Sequence, residues 1–360
     1  MNSIRKPEVY VILTGVSGNL GDAVIRRRVL EWIRGLGQIH AYVGRTTPGW
    51  LDQLGIRPGE VVYAAGARRD WLRGLLFGPG KKIMVFDPGE VPLGREHLRS
   101  ELMFLVIVFW VRLRGGLVFR PPRAIGEISP LTGWLYQASS RLSNVVLWRE
   151  RLSYERMRVG RLVPDTAFAE PRLEGIAWAD RREVVISMRG KREFPSEEWF
   201  AGIRDFAASH GFRLVLLSQV AEDEARTREL ADRFGPIAEY LPWGDRGDLQ
   251  QERFIRARYL SCAMAISDRL HVLILAAQAG AMPVEVVPLP KLKVEQHFST
   301  IGMGGISFGT AGRSAADISC FLGDQLRRRD ELNDKMAAAA NVLENEVQSL
   351  RRMVFGRGRT

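Results

Sequence analysis

The stretch AMAISDRLHVLILAAQAGAMPVEV, from Ala263 to Val286, constrains the fold of this chain more than any other. Tyr259 to Ile266 is an apolar run that reads as a buried strand, and Ser267 then offers an N-cap oxygen. Leu270, Leu273, Ile274 and Ala277 follow at helical spacing, Gly280 sits where a helix stops, and Pro283 opens a second buried strand. The unit is strand–helix–strand, with Arg269 and His271 at the first turn of its helix. A helix start carries unpaired N–H groups and a partial positive charge, so Arg and His there make a site for an anion. Residues two apart on a regular helix point to nearly opposite sides. Arg269 and His271 therefore converge only if Arg269 lies in the non-helical turn.

The same alternation runs through the rest of the chain. Val9 to Thr14 is an apolar strand that enters GVSGNLGD (Gly15 to Asp22) and then a helix, Ala23 to Gly35. His40 to Val43, Glu60 to Ala65, Lys82 to Phe86, Gly116 to Phe119 and Asn144 to Trp148 read as short strands, most of them separated by helical patterns. In a mostly parallel sheet the ligand crevice lies at the carboxyl ends of the strands. GVSGNLGD, DPGE (Asp87 to Glu90), RPPRAIGEIS (Arg120 to Ser129) and WRERLS (Trp148 to Ser153) are expected as loops on that rim. Periodicity fades between Asp165 and Arg182, which reads as a linker. A second series follows: strands over Glu183 to Met188, Phe212 to Leu217 and Ile237 to Leu241, with helices from Ser196, over Glu222 to Phe234 and over Asp248 to Arg258. A long charged helix is expected from Asp324 to about Arg352, with Leu326, Leu332, Met336, Leu343, Val347 and Leu350 as its stripe. The expected architecture is α/β: two Rossmann-like domains facing across a cleft, residues 1–170 and 171–323, then a C-terminal helix and basic tail over 324–360.

Composition narrows the partners. No secretory signal is read at Met1 to Pro7, and the two cysteines, Cys262 and Cys320, make no disulfide framework, so a reduced, cytoplasmic setting is expected. No Cys/His cluster has zinc spacing. Leu102 to Val111, ten apolar residues, falls short of the roughly 20 that span a membrane and reads as a buried or an interfacial helix. Residues 1–170 hold 25 Lys+Arg against 15 Asp+Glu, while residues 171–360 are nearly balanced. A basic half of this kind faces nucleic acid, anionic lipid or a phosphorylated substrate, or is a solvated face. No nucleic-acid motif is present, which makes nucleic acid the least suited of the three.

With these motifs in place the chain resembles the polysaccharide pyruvyl transferase family. GNLGDAVI resembles the family's G-N-x-G-D-E-A-I turn, WRERLS its V-R-E/D-x-x-S element, Pro164-Asp165 the P-D that follows, and VVISMRG its I-x-x-R strand end. SDRLHVLILAAQAGAMPV resembles its S-x-R-L/F-H-x-x-I-x-A-x-x-x-G-x-P signature, and KLKVEQHFSTIGM the lysine segment beyond, with Lys293 at the lysine position. Two departures stand out: Asp87-Pro88-Gly89 where the family has Gly-Gly-Gly, and Pro122 to Glu127 where it has G-x-G-I-G-P. The resemblance implies a fold similar to GT-B glycosyltransferases. It also implies transfer of a pyruvyl group from phosphoenolpyruvate to two hydroxyls of a sugar, in a polysaccharide or its lipid-linked precursor, forming a ketal and releasing phosphate. The amino-terminal domain is then the acceptor side, and the departures bear on the acceptor.

That chemistry sets residue roles. Phosphoenolpyruvate carries a carboxylate and a phosphate, which suit the planar fork of arginine. Arg189 and Arg269 are the expected binders, with Ser267 and Lys293. Ketal formation needs a proton delivered to the methylene carbon, and His271 is the only histidine in a motif, with His297 second. Gly18, Asn19, Gly21, Asp22, Arg149 and Ser153 are expected on the acceptor side of the cleft. Asp22 either orients hydroxyls or caps its helix, Ser153 either shapes the cleft or caps, and Arg149–Glu150 is either a cleft element or a salt bridge. No metal or cofactor is needed beyond phosphoenolpyruvate as co-substrate. A sugar or lipid-linked acceptor and peripheral contact with the inner membrane face complete the expectation. The alternatives are a GT-B glycosyltransferase using a nucleotide sugar, or a non-catalytic component of a polysaccharide assembly complex.

Overall fold

Short apolar runs alternate with amphipathic segments along the chain, and each run becomes a buried strand. The computed structural model describes residues 6–173 and 176–356, which fall into two α/β units. Of the described residues, one comprises 6–17, 22–166 and 342–356, the other 18–21, 167–173 and 176–341. Of the expected polar start, residues 1–5 lie outside the described residues, as do Glu174 and Gly175 of the expected linker.

The chain begins with β1 (Glu8–Ile12), α1 (Leu20–Ile33), β2 (Gln38–Gly44), α2 (Pro48–Leu54), β3 (Val61–Ala64), α3 (Arg68–Phe77) and β4 (Lys82–Val85). It continues through β5 (Gly89–Leu93), α4 (Leu98–Leu113), β6 (Leu117–Ile128), α5 (Pro130–Leu142), β7 (Val145–Trp148), α6 (Arg151–Met157) and β8 (Arg161–Leu162). The sheet of this first unit is parallel, ordered β3-β2-β1-β4-β6-β7-β8, and β5 pairs with the far part of β6. Two expected rim loops prove to be strand. Gly89 and Glu90 begin β5, and Arg120 to Ile128 continue β6. Proline φ suits an extended chain, but proline donates nothing to a ladder. The β6–β7 pairing accordingly jumps from Arg120 to Arg123 across Pro121-Pro122, and the strand carries on.

The second unit holds β9 (Glu183–Ser187), α7 (Glu197–His210), β10 (Arg213–Leu217), α8 (Glu224–Phe234), β11 (Ala238–Leu241), α9 (Asp248–Ser261) and β12 (Cys262–Ser267). After these come α10 (Leu270–Gln278), β13 (Met282–Val287), α11 (Leu292–Ser299), β14 (Ser307–Gly309), α12 (Ala315–Leu326) and α13 (Arg329–Phe355). Its parallel sheet is ordered β11-β10-β9-β12-β13-β14. Counted from β9 this is 3-2-1-4-5-6, the doubly wound Rossmann order, which reverses between β9 and β12. As expected, Ser196 caps α7, its Oγ accepting from Trp199 N at 3.4 Å. Tyr259 to Ser261 belong to α9 and not to the strand, because the helical turn buries Ile255 and Tyr259, four apart, on one face.

The division between units falls at Thr166/Ala167, four residues before the expected boundary. The C-terminal region is two helices broken at Arg327-Arg328, so Leu326 closes α12 while Leu332, Met336, Leu343, Val347 and Leu350 form the buried stripe of α13. Helix α13 counts with the second unit to Asn341 and with the first from Val342, and residues 357–360 of the expected basic tail lie outside the described residues. Among the described residues no helix is long and apolar enough to cross a membrane.

Candidate active site

In a doubly wound sheet the loops at the reversal point part to opposite faces and leave a crevice. In the second unit those loops follow β9 and β12, and they carry Arg189 and the Asp268-Arg269 pair. Arg269 has extended dihedrals (φ −100°, ψ 116°) and is the N-cap residue of α10, so it lies outside the helix, as convergence with His271 requires. Every other residue of α10 is buried; only His271 keeps partial exposure, and its Nε2 is itself buried. An apolar helix thus presents a single titratable group at its amino-terminal end.

The amino-terminal turn also belongs to this unit. Gly18 takes a left-handed φ of 76°, donates its N–H to Asp248 Oδ2 (3.2 Å) and accepts from Ala221 N (3.0 Å). Asn19 bridges Val220 in antiparallel fashion. Gly21 then comes against His271: a methyl group on Gly21 would lie 2.5 Å from Nδ1 and 2.6 Å from Cβ of the histidine. Glycine is required there by the close approach of backbone to ring. Gly18, Asn19 and Gly21, expected on the acceptor side, accordingly count with the unit that holds His271. Sequence spacing had no means of showing this, since some 250 residues separate the two motifs.

Two carboxylates organise the arginines. Asp223 accepts from Gly190 N (2.9 Å), from Arg269 Nη2 (2.7 Å) and from Arg269 Nε. Burial works against the charge of Arg269, but Asp223, aided by Glu222 at 3.2 Å, more than offsets this and raises its pKa. Asp268, fully buried at its side chain, accepts from Arg189 N (2.9 Å) and lies 3.0 Å from Arg192 Nε and 3.8 Å from Arg189 Nε. The expected capping role of Ser267 is corrected. Its buried hydroxyl donates to Ser187 O and accepts from Arg269 N (3.0 Å), which ties β12 to β9 beneath the turn.

A cavity of about 330 Å³ opens beyond β9 and β13. Its walls carry five cations, Arg189, Lys191, Arg192, Arg226 and Lys291, against the one carboxylate of Glu193. Arg269, His271 and Lys293 are not among its lining residues. Lys293 sits in the first turn of α11, where its carbonyl is 2.7 Å from Nδ1 of His297. His297 itself is completely buried against its own helix, which makes it a structural residue. Sequence reasoning missed Arg192, Arg226, Lys291, Asp223 and Asp268. It also missed Glu285, a buried strand residue whose Oε2 accepts from Ser307 Oγ (2.8 Å). Burial, with Asp268 nearby, pushes the Glu285 carboxyl up to about 7 despite Arg192 and Arg189. An acidic residue within an apolar strand was the available signal.

In the first unit Asp22 does not cap α1. Its Oδ1 is 3.7 Å from Arg26 Nη1, and Arg26 Nη2 is 3.5 Å from Asp87. Asp87 in turn accepts from Arg123 Nη2 at 2.9 Å. One residue from each of the two departures, Asp87 and Arg123, thus meets in an ion pair. Arg149 pairs with buried Asp165 (2.6 Å) and not with Glu150. Ser153, two residues inside α6, accepts from Ile125 N (2.8 Å) and does not cap the helix. A cavity of about 290 Å³ lies at the carboxyl ends of β1 and β4, the reversal point of this sheet. Trp71, Phe86 and Phe104 are among its walls, and its charged groups are Asp87, Glu90 and Glu101 with Arg68 and Arg123. Glu101 is buried, and that burial raises its pKa.

The fold is α/β and GT-B-like. A protein assigned as a UDP-N-acetylglucosamine 2-epimerase from Listeria monocytogenes shares the fold with a TM-score of 0.57 at 12% identity, over 96% of each chain. S. aureus MnaA, solved with UDP, gives 0.54 at 10% identity over 98% of each chain. CalG4, the calicheamicin glycosyltransferase, gives 0.50 at 11% identity over the full length of both. No curated protein matches the chain. Residues 19–281 match the family model of polysaccharide pyruvyl transferase, and the chain belongs to that family. It is thereby a transferase of polysaccharide modification.

Proposed function

We propose that this protein transfers the pyruvyl group of phosphoenolpyruvate to two hydroxyls of one sugar, in a polysaccharide or its lipid-linked precursor. The observation that carries this reading is the imidazole of His271, held against Gly21 at the same reversal point as Arg189 and Arg192. Arginines bind the carboxylate and phosphate of the donor. His271 gives a proton to the methylene carbon, which becomes the methyl group, and carbon 2 takes up cationic character. One acceptor hydroxyl adds to carbon 2; the bond from carbon 2 to the phosphate oxygen then breaks, and the second hydroxyl closes the ketal. Of the two hydroxyl protons, one replaces the proton given by His271 and the other leaves with phosphate. Asp223 fixes the orientation of Arg269, whose charge serves the donor through the field at the start of α10. On the acceptor side, the aromatic walls and carboxylates of the first unit's cavity suit a sugar ring.

The alternative donor is a nucleotide sugar, favoured by the likeness to CalG4 and to MnaA, which was solved with UDP. Melting curves separate the two donors. Phosphoenolpyruvate is expected to raise the melting temperature, and Arg189→Ala with Arg192→Ala to abolish the rise. Stabilisation by nucleotide sugars alone, with acceptor present, would transfer the assignment to the glycosyltransferase reading.

A further inference from the structure

The ten-residue apolar run noted in the sequence forms the middle of α4, and its outward side is not covered. Leu102, Val106, Phe109 and Leu113, spaced four, three and four apart, lie on one face of the helix and are 52–66% exposed. The inward side supplies Ile107, Val108 and Val111 to the core. A surface helix of a soluble domain ordinarily turns polar residues to water; from Leu102 to Val111 this one has no charged residue at all. Charge returns at its ends, where Arg95 and Arg99, with Glu96 between them, precede the stripe and Arg114 follows it, all exposed. Helix α4 packs between α3 and α5. Phe77 of α3, 67% exposed, is in ring contact with Trp110 of α4 (6.3 Å), and α5 adds exposed Leu131 and Trp134.

We propose that this face of the first unit, centred on α4, docks on the surface of an anionic lipid bilayer. An apolar stripe flanked by arginine and edged by aromatic rings has the composition of a helix that lies in the interface plane. The excess of 25 Lys+Arg over 15 Asp+Glu in residues 1–170 gives the attraction to anionic headgroups. A protein partner would need matching acidic and apolar surface, whereas the bilayer offers both without shape complementarity. The inner side of the same helix places Glu101, Met103 and Phe104 on the cavity of the first unit. A docked α4 therefore holds that cavity beside the headgroups. This last point rests on the acceptor reading above; the docking itself does not.

The test is flotation of the full chain with vesicles of neutral phosphatidylcholine, and with vesicles containing about 30% phosphatidylglycerol. Binding to the anionic vesicles at low salt, weakening as salt rises, is expected. Val106→Glu with Phe109→Glu should reduce that binding at least roughly tenfold without lowering the melting temperature, since both side chains already face water. Arg95→Ala, Arg99→Ala and Arg114→Ala together should flatten the salt dependence while sparing some apolar binding. Failure of the wild type to bind anionic vesicles at low salt overturns the proposal. So does a wild-type dimer that the Val106/Phe109 variant converts to monomer and that ignores vesicles, because a second copy would then cover the face. Phosphate release from phosphoenolpyruvate is scored separately on a water-soluble acceptor, so a failed donor assignment is not confused with failed docking.

Discussion

Gly21 packs its α-carbon directly against the imidazole of His271, so that any side chain at position 21 would occupy the place of the ring. The turn that holds Gly21 is pinned by Gly18 to Asp248 and Ala221, and so cannot simply retreat. Gly21→Ala should therefore displace the imidazole, and a displacement near 1 Å costs on the order of a hundredfold in rate. Turnover falling by ~10–100-fold, with a melting temperature lowered by the overpacking at the ring, is the expected result. Full turnover in Gly21→Ala would mean that the position of His271 does not matter.

Arg269 and Asp223 form a largely buried pair. Arg269→Ala leaves the Asp223 carboxylate without its main partner, and breaking such a pair costs roughly 3 kcal/mol. Adding Asp223→Asn removes the stranded charge, so the double variant should melt above the single one. Chemical denaturation measures both. Equal stability of the single variant and the wild type would assign Arg269 to the donor and not to the fold.

Asp87 and Arg123, one in each segment that departs from the resemblance, meet at 2.9 Å. A double-mutant cycle with Asp87→Ala and Arg123→Ala should give a coupling of about 1–2 kcal/mol, the size expected for contacting residues. A coupling indistinguishable from zero would make the two departures independent.

The sequence was most legible where burial dictates pattern. The strand–helix–strand run to Val286, the cap at Ser196 and the stripe of α13 stand as expected, because apolar periodicity is enough to place them. Spacing set the condition that Arg269 lie in a non-helical turn if it is to converge with His271, and its extended dihedrals meet that condition. What was hidden depends on contacts between distant segments. Gly21 against His271, Arg149 on Asp165 and Asp87 on Arg123 leave no local signal, and each changed the role expected of a residue. The extension of β6 through Pro121-Pro122 was misjudged for a different reason: paired prolines ordinarily mark a loop. His297 shows the converse, a histidine that sequence offers as chemistry and packing assigns to the core.

Glu285 predicts a pH dependence of stability. Its carboxyl titrates at about 7 when folded against an ordinary value of 4.5, so between these values the native state holds a proton that the unfolded chain has lost. Stability contributed by the protonated form is complete below about 4.5, declines as pH rises toward 7, and is level above, a total of up to about 3 kcal/mol. Glu285→Gln cannot ionise and should lack this decline, becoming more stable than wild type at pH 8. Denaturation midpoints at several pH values check it; parallel pH curves for the two proteins would contradict the assignment.

Acceptor-dependent release of inorganic phosphate from phosphoenolpyruvate measures the proposed reaction itself. With a lipid-linked oligosaccharide extract as acceptor, the wild type should release phosphate and add pyruvyl ketal to the sugar. His271→Ala should lower that turnover by ~10²–10⁴, the usual contribution of a general acid, with folding and donor affinity changed far less. No phosphate release by the wild type, together with nucleotide release from a nucleotide sugar under the same conditions, would contradict pyruvyl transfer.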